Sequence, residues 1–292
     1  QKMKTKVKSL KSYKTPLRYP GGKSRALSKL FQFIPDLKDY ESFHEPFVGG
    51  GSVAIEISKR YPHLKIWIND LYEPLYNFWR VLQVDGQALR DRIFDLKMNH
   101  PDPSSAKQLF LDAKNVLAQP VASSLERAAS FYIVNKCSFS GLTENSAFSK
   151  QASESNFSLN GIDKLQEYSL MMKNWTITNL PYGQVLYATM VESQTEDAKI
   201  FTYLDPPYEI KSNLYGKKGD MHKGFDHDEF PIICNRLSSP MLVSYNSSQL
   251  IKDRFDGWTV AEFSHTYTMR STGCYNKEQA SRKELVLMNY EM

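Results

Sequence analysis

Short apolar runs alternate with longer amphipathic segments along most of this 292-residue chain. The runs are rich in β-branched and aromatic residues and have the length of buried strands. They predict one strand that ends at Val48 and others at residues 64–69, 175–179, 200–204, 241–245, 258–263 and 284–289. Segments with helical periodicity lie between most of them. This alternation predicts an α/β fold with a doubly wound, mostly parallel sheet.

The alternation stops in the middle of the chain. Residues 73 to about 136 have helical periodicity throughout, interrupted by Gly86 and by prolines at positions 101, 103 and 120. Residues 137–160 are polar and predict an irregular hairpin or loop, a place where recognition residues often lie. We therefore expect a catalytic domain of residues 16–72 and 174–292, interrupted by an inserted, mainly helical domain of residues 73–173 and preceded by a basic tail, residues 1–15.

A glycine-rich turn follows the first predicted strand. Gly49, Gly50 and Gly51 let backbone approach a ligand closely, and Ser52 is a natural N-cap for the following helix. A strand, a glycine turn and a helix together form a typical nucleotide cradle, although the spacing is not that of a dinucleotide-binding motif.

The next strand ends at Asp70, about twenty residues beyond the glycines, where such folds bind ribose hydroxyls. Asp70 is therefore a candidate ribose ligand. Asn69 and Asp70 could equally cap the helix that begins near Glu73, and the two roles are compatible.

A second candidate site follows the strand at residues 200–204. In Asp205-Pro206-Pro207-Tyr208 the prolines remove two backbone donors, so that the loop offers acceptors only. Tyr208 adds a flat face on which a nucleobase can stack. Acceptors and a stacking face suit an adenine amino group, whereas an ordinary turn after a strand is the alternative.

Composition favours a polyanionic partner. The net charge is +5 and the pI is about 8.8, with lysines crowded at the amino terminus either as a solvated tail or as DNA contacts. Three distant cysteines predict neither a zinc site nor a disulfide framework, and we expect no metal. His222 and His227 flank Asp226 and Asp228 in what we interpret as a polar loop entering a helix. The sequence has no apolar run of membrane-spanning length, so we expect a cytoplasmic protein.

Four motifs in this order resemble the Dam-type (alpha-group) family of adenine-N6 DNA methyltransferases. They are Tyr19-Pro20-Gly21-Gly22-Lys23, residues 45–52, Asp70, and Asp205 to Tyr208. The family inserts its target-recognition domain in the interval between the last two motifs. The resemblance implies a Rossmann-like class I methyltransferase fold, S-adenosylmethionine as the cofactor, no metal, and double-stranded DNA in a bacterial or phage-infected host as the substrate.

The resemblance also implies roles for individual residues. Asp205 and the carbonyl of Pro206 would accept both protons of a flipped-out adenine amino group, Pro207 would stiffen the loop, and Tyr208 would stack on the base. The implied cofactor-binding residues are Tyr19, Gly21, Gly22, Lys23, Glu45, Pro46, Phe47, Gly49, Gly51, Ser52, Asp70, Leu71 and Asp205. Some have structural alternatives, since Tyr19 could be a core residue and Lys23 a residue of a helix surface.

Residues 135–144 are similar to the run that opens the DNA-recognition hairpin in relatives that modify GATC. Glu144 stands where those relatives carry a guanine-binding arginine, and a carboxylate cannot donate to guanine. We therefore expect a specificity other than GATC, with Glu144 either accepting from cytosine or facing solvent. The candidate DNA-binding residues are Lys136, Ser140, Leu142, Glu144 and Lys150.

Other functions remain open at the level of sequence. The acceptor loop would also suit an N4-cytosine amino group or an adenine in RNA, and a silent DNA-binding subunit could keep the fold. A protein-glutamine methyltransferase usually has Asn in the position of Asp205. We expect a monomer or weak dimer, with a cognate restriction endonuclease as a candidate partner.

Overall fold

The computed structural model describes residues 14–18, 23–139, 146–195, 198–209, 224–266 and 281–292. Its strands are β1 Ser42–Glu45, β2 Lys65–Asn69, β3 Thr176–Thr178, β4 Ile200–Leu204, β5 Met241–Asn246, β6 Thr259–Thr266 and β7 Ser281–Met288. Its helices are α1 Lys23–Leu30, continued by a 3₁₀ turn Phe31–Phe33, then α2 Ser52–Arg60, α3 Glu73–Val84, α4 Gly86–Met98, α5 Pro103–Ala118, α6 Ser124–Cys137, α7 Lys150–Ser155, α8 Leu159–Asp163, α9 Leu165–Met171, α10 Tyr182–Glu192, α11 Glu229–Cys234 and α12 Gln249–Arg254.

The strands form a single sheet in the order β3-β2-β1-β4-β5-β7-β6. Strands β1 to β5 pair in parallel, whereas β7 is antiparallel to both β5 and β6. This is the Rossmann-like arrangement of class I methyltransferases, so the predicted fold is confirmed. The strand order reverses between β1 and β4, and the crevice beyond their carboxyl ends is where open α/β sheets bind ligands.

The first strand is shorter than its apolar pattern predicts. It ends at Glu45 and not at Val48, because Pro46 has no N–H to continue the ladder and the glycine turn begins there. Val48 donates instead to the carbonyl oxygen of Asn69, at 2.9 Å. In β4, by contrast, all five residues are buried, which accounts for its continuous apolar run.

Helices α3 to α9 lie between β2 and β3, and the described part of this insert has no strand. The predicted hairpin is present at its base, where Ser138 and Phe148 form an antiparallel bridge. For the rest of this region the prediction of irregular structure was wrong, since residues 150–155 and 159–163 form the helices α7 and α8. Ser149 caps α7 and Ser158 caps α8, so two side-chain hydroxyls stabilise short helices in a polar sequence.

The helical insert shares a hydrophobic core with one face of the sheet. Phe43 of β1 and Ile66 of β2 belong to the same buried cluster as Phe78 and Trp79 of α3 and Tyr132 of α6. A second cluster lies on the opposite face of the sheet and includes Tyr245 of β5 and Phe230 of α11. Assignment of residues 73–173 to a separate recognition domain stays a prediction.

None of the helices in the described ranges combines the length and the apolar character that crossing a bilayer requires.

Candidate active site

The glycine turn at residues 46–51 connects β1 to α2 and uses left-handed backbone at two positions. Gly49 and Gly51 have φ values of 51° and 79°, in the left-handed region that favours glycine. A Cβ on Gly51 would lie 2.9 Å from two ring carbons of Trp79. The prediction for Ser52 was wrong in detail: Gly51 is the N-cap, without a side-chain cap, and Ser52 is the first residue of α2.

Asp70 binds this turn directly. One carboxylate oxygen accepts the backbone N–H of Gly49 at 3.1 Å, and the other accepts that of Tyr72, the N-cap of α3, at 3.0 Å. Burial raises the pKa of Asp70, and these two hydrogen bonds act against that increase. Asp70 thus holds both the glycine turn and the start of α3. Its role as a ribose ligand stays a prediction. Its neighbour Leu71 is 69% exposed.

Two asparagines hold the loops that follow β1, β2 and β3 together. The buried Asn69 amide donates to the carbonyl oxygens of Pro46 and Leu180 and accepts from the Leu180 N–H. Asn179 donates to the carbonyl oxygens of Asp70 and Leu71. Side-chain amides therefore fix the backbone of the candidate ribose ligand Asp70 and the two loops beside it.

The Asp205-Pro206-Pro207-Tyr208 loop leaves the carboxyl end of β4, next to β1. Pro206 is buried, and the Tyr208 hydroxyl donates to Glu284 at 2.5 Å. The Tyr208 ring lies nearly parallel to Tyr245, with ring centroids 6.4 Å apart and an interplanar angle of 22°.

Three carboxylates lie close enough to the end of β4 to influence the ionisation of Tyr203. The pKa of the buried Tyr203 hydroxyl is raised, first by burial and then by the negative charges of Asp205, Glu45 and Glu284. Glu45 is itself only 2% exposed at the end of β1. The two sequence motifs that carry Glu45 and Asp205 therefore meet at the same edge of the sheet, where a positively charged ligand would be favoured.

The backbone after Tyr208 is held by β5 and α12. The Asn246 amide accepts the Glu209 N–H at 2.9 Å and donates to the Glu209 carbonyl oxygen at 3.1 Å. Arg254 forms ion pairs with Glu209 at 2.5 Å and with Asp228 at 2.9 Å.

A short segment before the first motif joins the glycine turn to the insert. The Thr15 hydroxyl donates to the Gly50 carbonyl oxygen. Arg18 exchanges two backbone hydrogen bonds with the Asn135 side chain, at 2.7 and 2.9 Å, and its guanidinium donates to the Ser138 carbonyl oxygen. The segment thus connects the glycine turn with the base of the hairpin.

Several predicted site residues lie outside the described residues: Tyr19, Gly21, Gly22, Ser140, Leu142 and Glu144. Lys23 is the first residue of α1. Lys150 is exposed at the start of α7. Lys136 is half-buried, with its ammonium 5.6 Å from the centroid of the Tyr132 ring, and burial followed by the charge of Arg18 lowers its pKa to about 8.

Sequence reasoning missed Trp79, Asn179, Asn246 and Glu284. Asn179 is the last residue of a predicted strand and Asn246 directly follows another, and polar residues at the carboxyl ends of parallel strands are a signal that could have identified them. Trp79 and Glu284 lie within a helix and a strand, so their partners become evident only once the chain is folded.

Among the residues described, no group of three or more His, Cys, Asp or Glu side chains could hold a metal ion. One Asp226 oxygen accepts the backbone N–H groups of Asp228 and Glu229, as expected for a polar loop entering a helix. Burial raises the pKa of Cys137 to about 12 and also raises that of Cys234.

A sheet of this order, with a glycine turn after β1, an acid after β2 and an acceptor loop after β4, defines a class I methyltransferase. Methyltransferases of this class use S-adenosylmethionine. The family model for the D12 class N6 adenine-specific DNA methyltransferases matches residues 19–269. The chain therefore belongs to this family of adenine-N6 DNA methyltransferases.

Individual relatives support the same assignment. The chain is 28% identical over 203 residues to a DNA N-6-adenine-methyltransferase of Escherichia phage P1, a match that covers 68% of this chain but only 24% of the phage protein. It is 24% identical to the type II methyltransferase M1.LlaDCHI of Lactococcus lactis subsp. cremoris, with 94% of each chain covered. It is 26% identical to the type II methyltransferase M.MjaIII of Methanocaldococcus jannaschii, with 94% and 98% covered. The Dam-type subgroup stays a prediction.

Proposed function

We propose that this site transfers a methyl group to the exocyclic nitrogen of an adenine flipped out of double-stranded DNA, at a specific recognition sequence. One observation carries the proposal: the acceptor loop at Asp205 leaves β4 beside the glycine turn of β1, at the point where the strand order reverses. A cofactor on the turn and a base on the loop would face each other across this crevice.

The residues present fit S-adenosylmethionine, which supplies a methyl group already activated on a sulfonium. Asp70 would accept hydrogen bonds from the ribose hydroxyls. The exposed side chain of Leu71 offers an apolar contact for the adenine ring. Glu45 and Asp205 would favour the cofactor's positive charge, and Tyr19 and Lys23 would lie near its carboxylate end.

The target base would be oriented by acceptors alone. The Asp205 carboxylate and the Pro206 carbonyl would accept the two amino protons, which directs the nitrogen lone pair toward the methyl group. Positive charge develops on that nitrogen during transfer, and Asp205 would stabilise it. The proton can leave after transfer, so no strong base is needed. Stacking on Tyr208 would offset part of the cost of flipping the base.

DNA recognition would fall to the insert and its hairpin. Lys136 lies at the base of the hairpin and is a candidate phosphate contact, as is the exposed Lys150. Glu144 supports a recognition sequence other than GATC. The type II relatives support a cognate restriction endonuclease as partner, and phage and bacterial relatives support action in the cytoplasm of such a host. A monomer or weak dimer remains our expectation.

A methyl-transfer assay tests the proposal. The purified protein is incubated with labelled S-adenosylmethionine and unmethylated genomic DNA or, separately, RNA, and the products are identified by nucleoside mass spectrometry. N6-methyladenine in DNA is the expected product, and sequencing of that DNA gives the recognition sequence. N4-methylcytosine, or label in RNA alone, would overturn the proposed substrate. Strict GATC modification would overturn the proposed specificity.

A further inference from the structure

Two residues that are paired on neighbouring strands of the sheet both bind the loop of Tyr208. Asn246 at the end of β5 is paired with Glu284 of β7 in the antiparallel ladder. Glu284 accepts the Tyr208 hydroxyl, while the Asn246 amide makes two hydrogen bonds with the backbone of Glu209. Adjacent residues of the loop are therefore attached to one cross-strand pair.

The contact between Tyr208 and Glu284 is of a strong kind. Glu284 is 4% exposed, and a buried carboxylate is costly unless hydrogen bonds compensate its lost hydration. A hydroxyl that donates to a carboxylate forms a charge-assisted bond, which is stronger than one between neutral groups. The ring of Tyr208 is thus tied at its hydroxyl end and, through Glu209, at its backbone.

The hydroxyl adds little to stacking itself, because a phenyl ring offers a base the same flat face. Its value in this structure is as an anchor. Near-parallel contact with Tyr245 restrains the ring further. A ring held in one orientation loses less conformational freedom when a base stacks on it.

We propose that Asn246 and Glu284 are positioning residues for the methyl transfer, and that they act by holding Tyr208 in the orientation that receives the target adenine. This inference rests on the proposed function, since it assigns Tyr208 to the base. It predicts that Glu284 affects turnover through the Tyr208 hydroxyl and has little effect on cofactor binding.

A double-mutant cycle tests this coupling. Tyr208→Phe removes the hydroxyl and keeps the ring, and Glu284→Leu removes the acceptor at similar volume. We expect each to lower kcat about tenfold, as for loss of one charge-assisted bond, while the KM for S-adenosylmethionine changes less than about twofold. The double variant should lose no more than either single variant, because the same interaction is already absent. Glu284→Gln, which still accepts a hydrogen bond, should retain most of the activity.

Base stacking is measured independently with 2-aminopurine at the target position of the DNA. We expect Tyr208→Phe and Glu284→Leu to shift the fluorescence of the enzyme–DNA complex in the same direction. Asn246→Asp provides a variant of equal size that replaces the amide donor facing the Glu209 carbonyl, and it should lower kcat in the same way. If Glu284→Leu does not fold, Asn246→Asp and Glu284→Gln decide the question.

Glu262→Gln is the matched control. Glu262 lies on neighbouring β6, forms ion pairs with Lys252 and Lys283, and is outside the site, so wild-type kcat is expected. Fully additive losses in the cycle, or an unchanged kcat in Glu284→Leu, would overturn the inference. An inactive wild-type enzyme on every DNA would instead count against the proposed function, so the two failures are distinguishable.

Discussion

The indole N–H of Trp79 donates to the carbonyl oxygen of Gly49 at 3.1 Å. Trp79 belongs to α3, the first helix of the insert, and Gly49 to the glycine turn that follows β1. The same indole leaves no room for a side chain at Gly51. The insert therefore shapes the glycine turn directly, and a change in the packing of Trp79 should alter the conformation of this turn.

Replacing Gly51 with alanine should be costly for two separable reasons. Its positive φ disfavours any side chain by about 1–2 kcal/mol, and the added Cβ would meet the ring of Trp79 at 2.9 Å. We expect Gly51→Ala to lower the free energy of unfolding by about 2–4 kcal/mol and to weaken cofactor binding. Urea denaturation and calorimetric titration with S-adenosylhomocysteine measure the two effects.

Gly257→Ala is the control for backbone strain alone. Gly257 has a φ of 84°, but nothing lies within 4 Å of a Cβ built there. It should cost about 1–2 kcal/mol and leave cofactor affinity unchanged. Equal destabilisation by the two substitutions would show that contact with Trp79 does not matter.

Asp205→Ala should abolish most turnover without unfolding the protein. The carboxylate would be the acceptor that stabilises charge developing on the adenine nitrogen, and loss of one such group typically costs about 10²–10³ in kcat. Label transfer to DNA measures the loss, and circular dichroism checks the fold. A variant with wild-type kcat would remove Asp205 from the mechanism.

Cofactor affinity should fall in mild acid because of Asp70. Burial raises its pKa, so it binds its proton at a higher pH than an ordinary aspartic acid, whose pKa is about 3.9. Only the ionised form can accept hydrogen bonds with both oxygens from ribose. Affinity should therefore drop as the pH falls through the raised pKa.

The stability contribution of Asp70 has the opposite sign. Folding favours the protonated form, so this group stabilises the fold below its unfolded pKa, and that contribution is lost as the pH rises through the raised pKa. The predicted loss of cofactor affinity is tested by titration with S-adenosylhomocysteine between pH 4 and 7.5, with Asp70→Ala as the reference. Parallel pH profiles for the wild type and this variant would contradict the assignment.

Lys136 should contact DNA only while it is charged. Its pKa is lowered to about 8, because burial disfavours the ammonium form and Arg18 repels it. At pH 7 Lys136→Met should weaken DNA binding and reduce the slope of log K against log salt by about 0.9, the value for one phosphate contact. As the pH rises through about 8, the wild type loses this charge and the two proteins should converge. A difference that persists at pH 9.5 would exclude a charge-dependent role.

Local patterns in the sequence determined much of the sheet and the identity of its motifs. Residues 200–204 form a strand because a short, continuous apolar run suits burial on both faces. The prolines after it predict a loop that offers only hydrogen-bond acceptors, and the glycines near position 50 predict a turn that needs a left-handed backbone. These signals depend on neighbouring residues, so they can be detected without knowledge of the fold.

The tertiary structure alone decided which residues, distant in sequence, contact each motif. Asp70 contacts Gly49, Trp79 contacts Gly49 and Glu284 binds Tyr208, although the last two residues are 76 positions apart. No local periodicity encodes such pairs, because they depend on strand order and register. The end of β1 at Glu45 and the helices α7 and α8 also differed from expectation. Pro46 lacks the backbone donor that would continue the strand, and side-chain caps stabilise two short helices in a polar segment. The sequence by itself therefore determined the motifs that supply the candidate site residues, and the fold decided which residues hold these motifs in place.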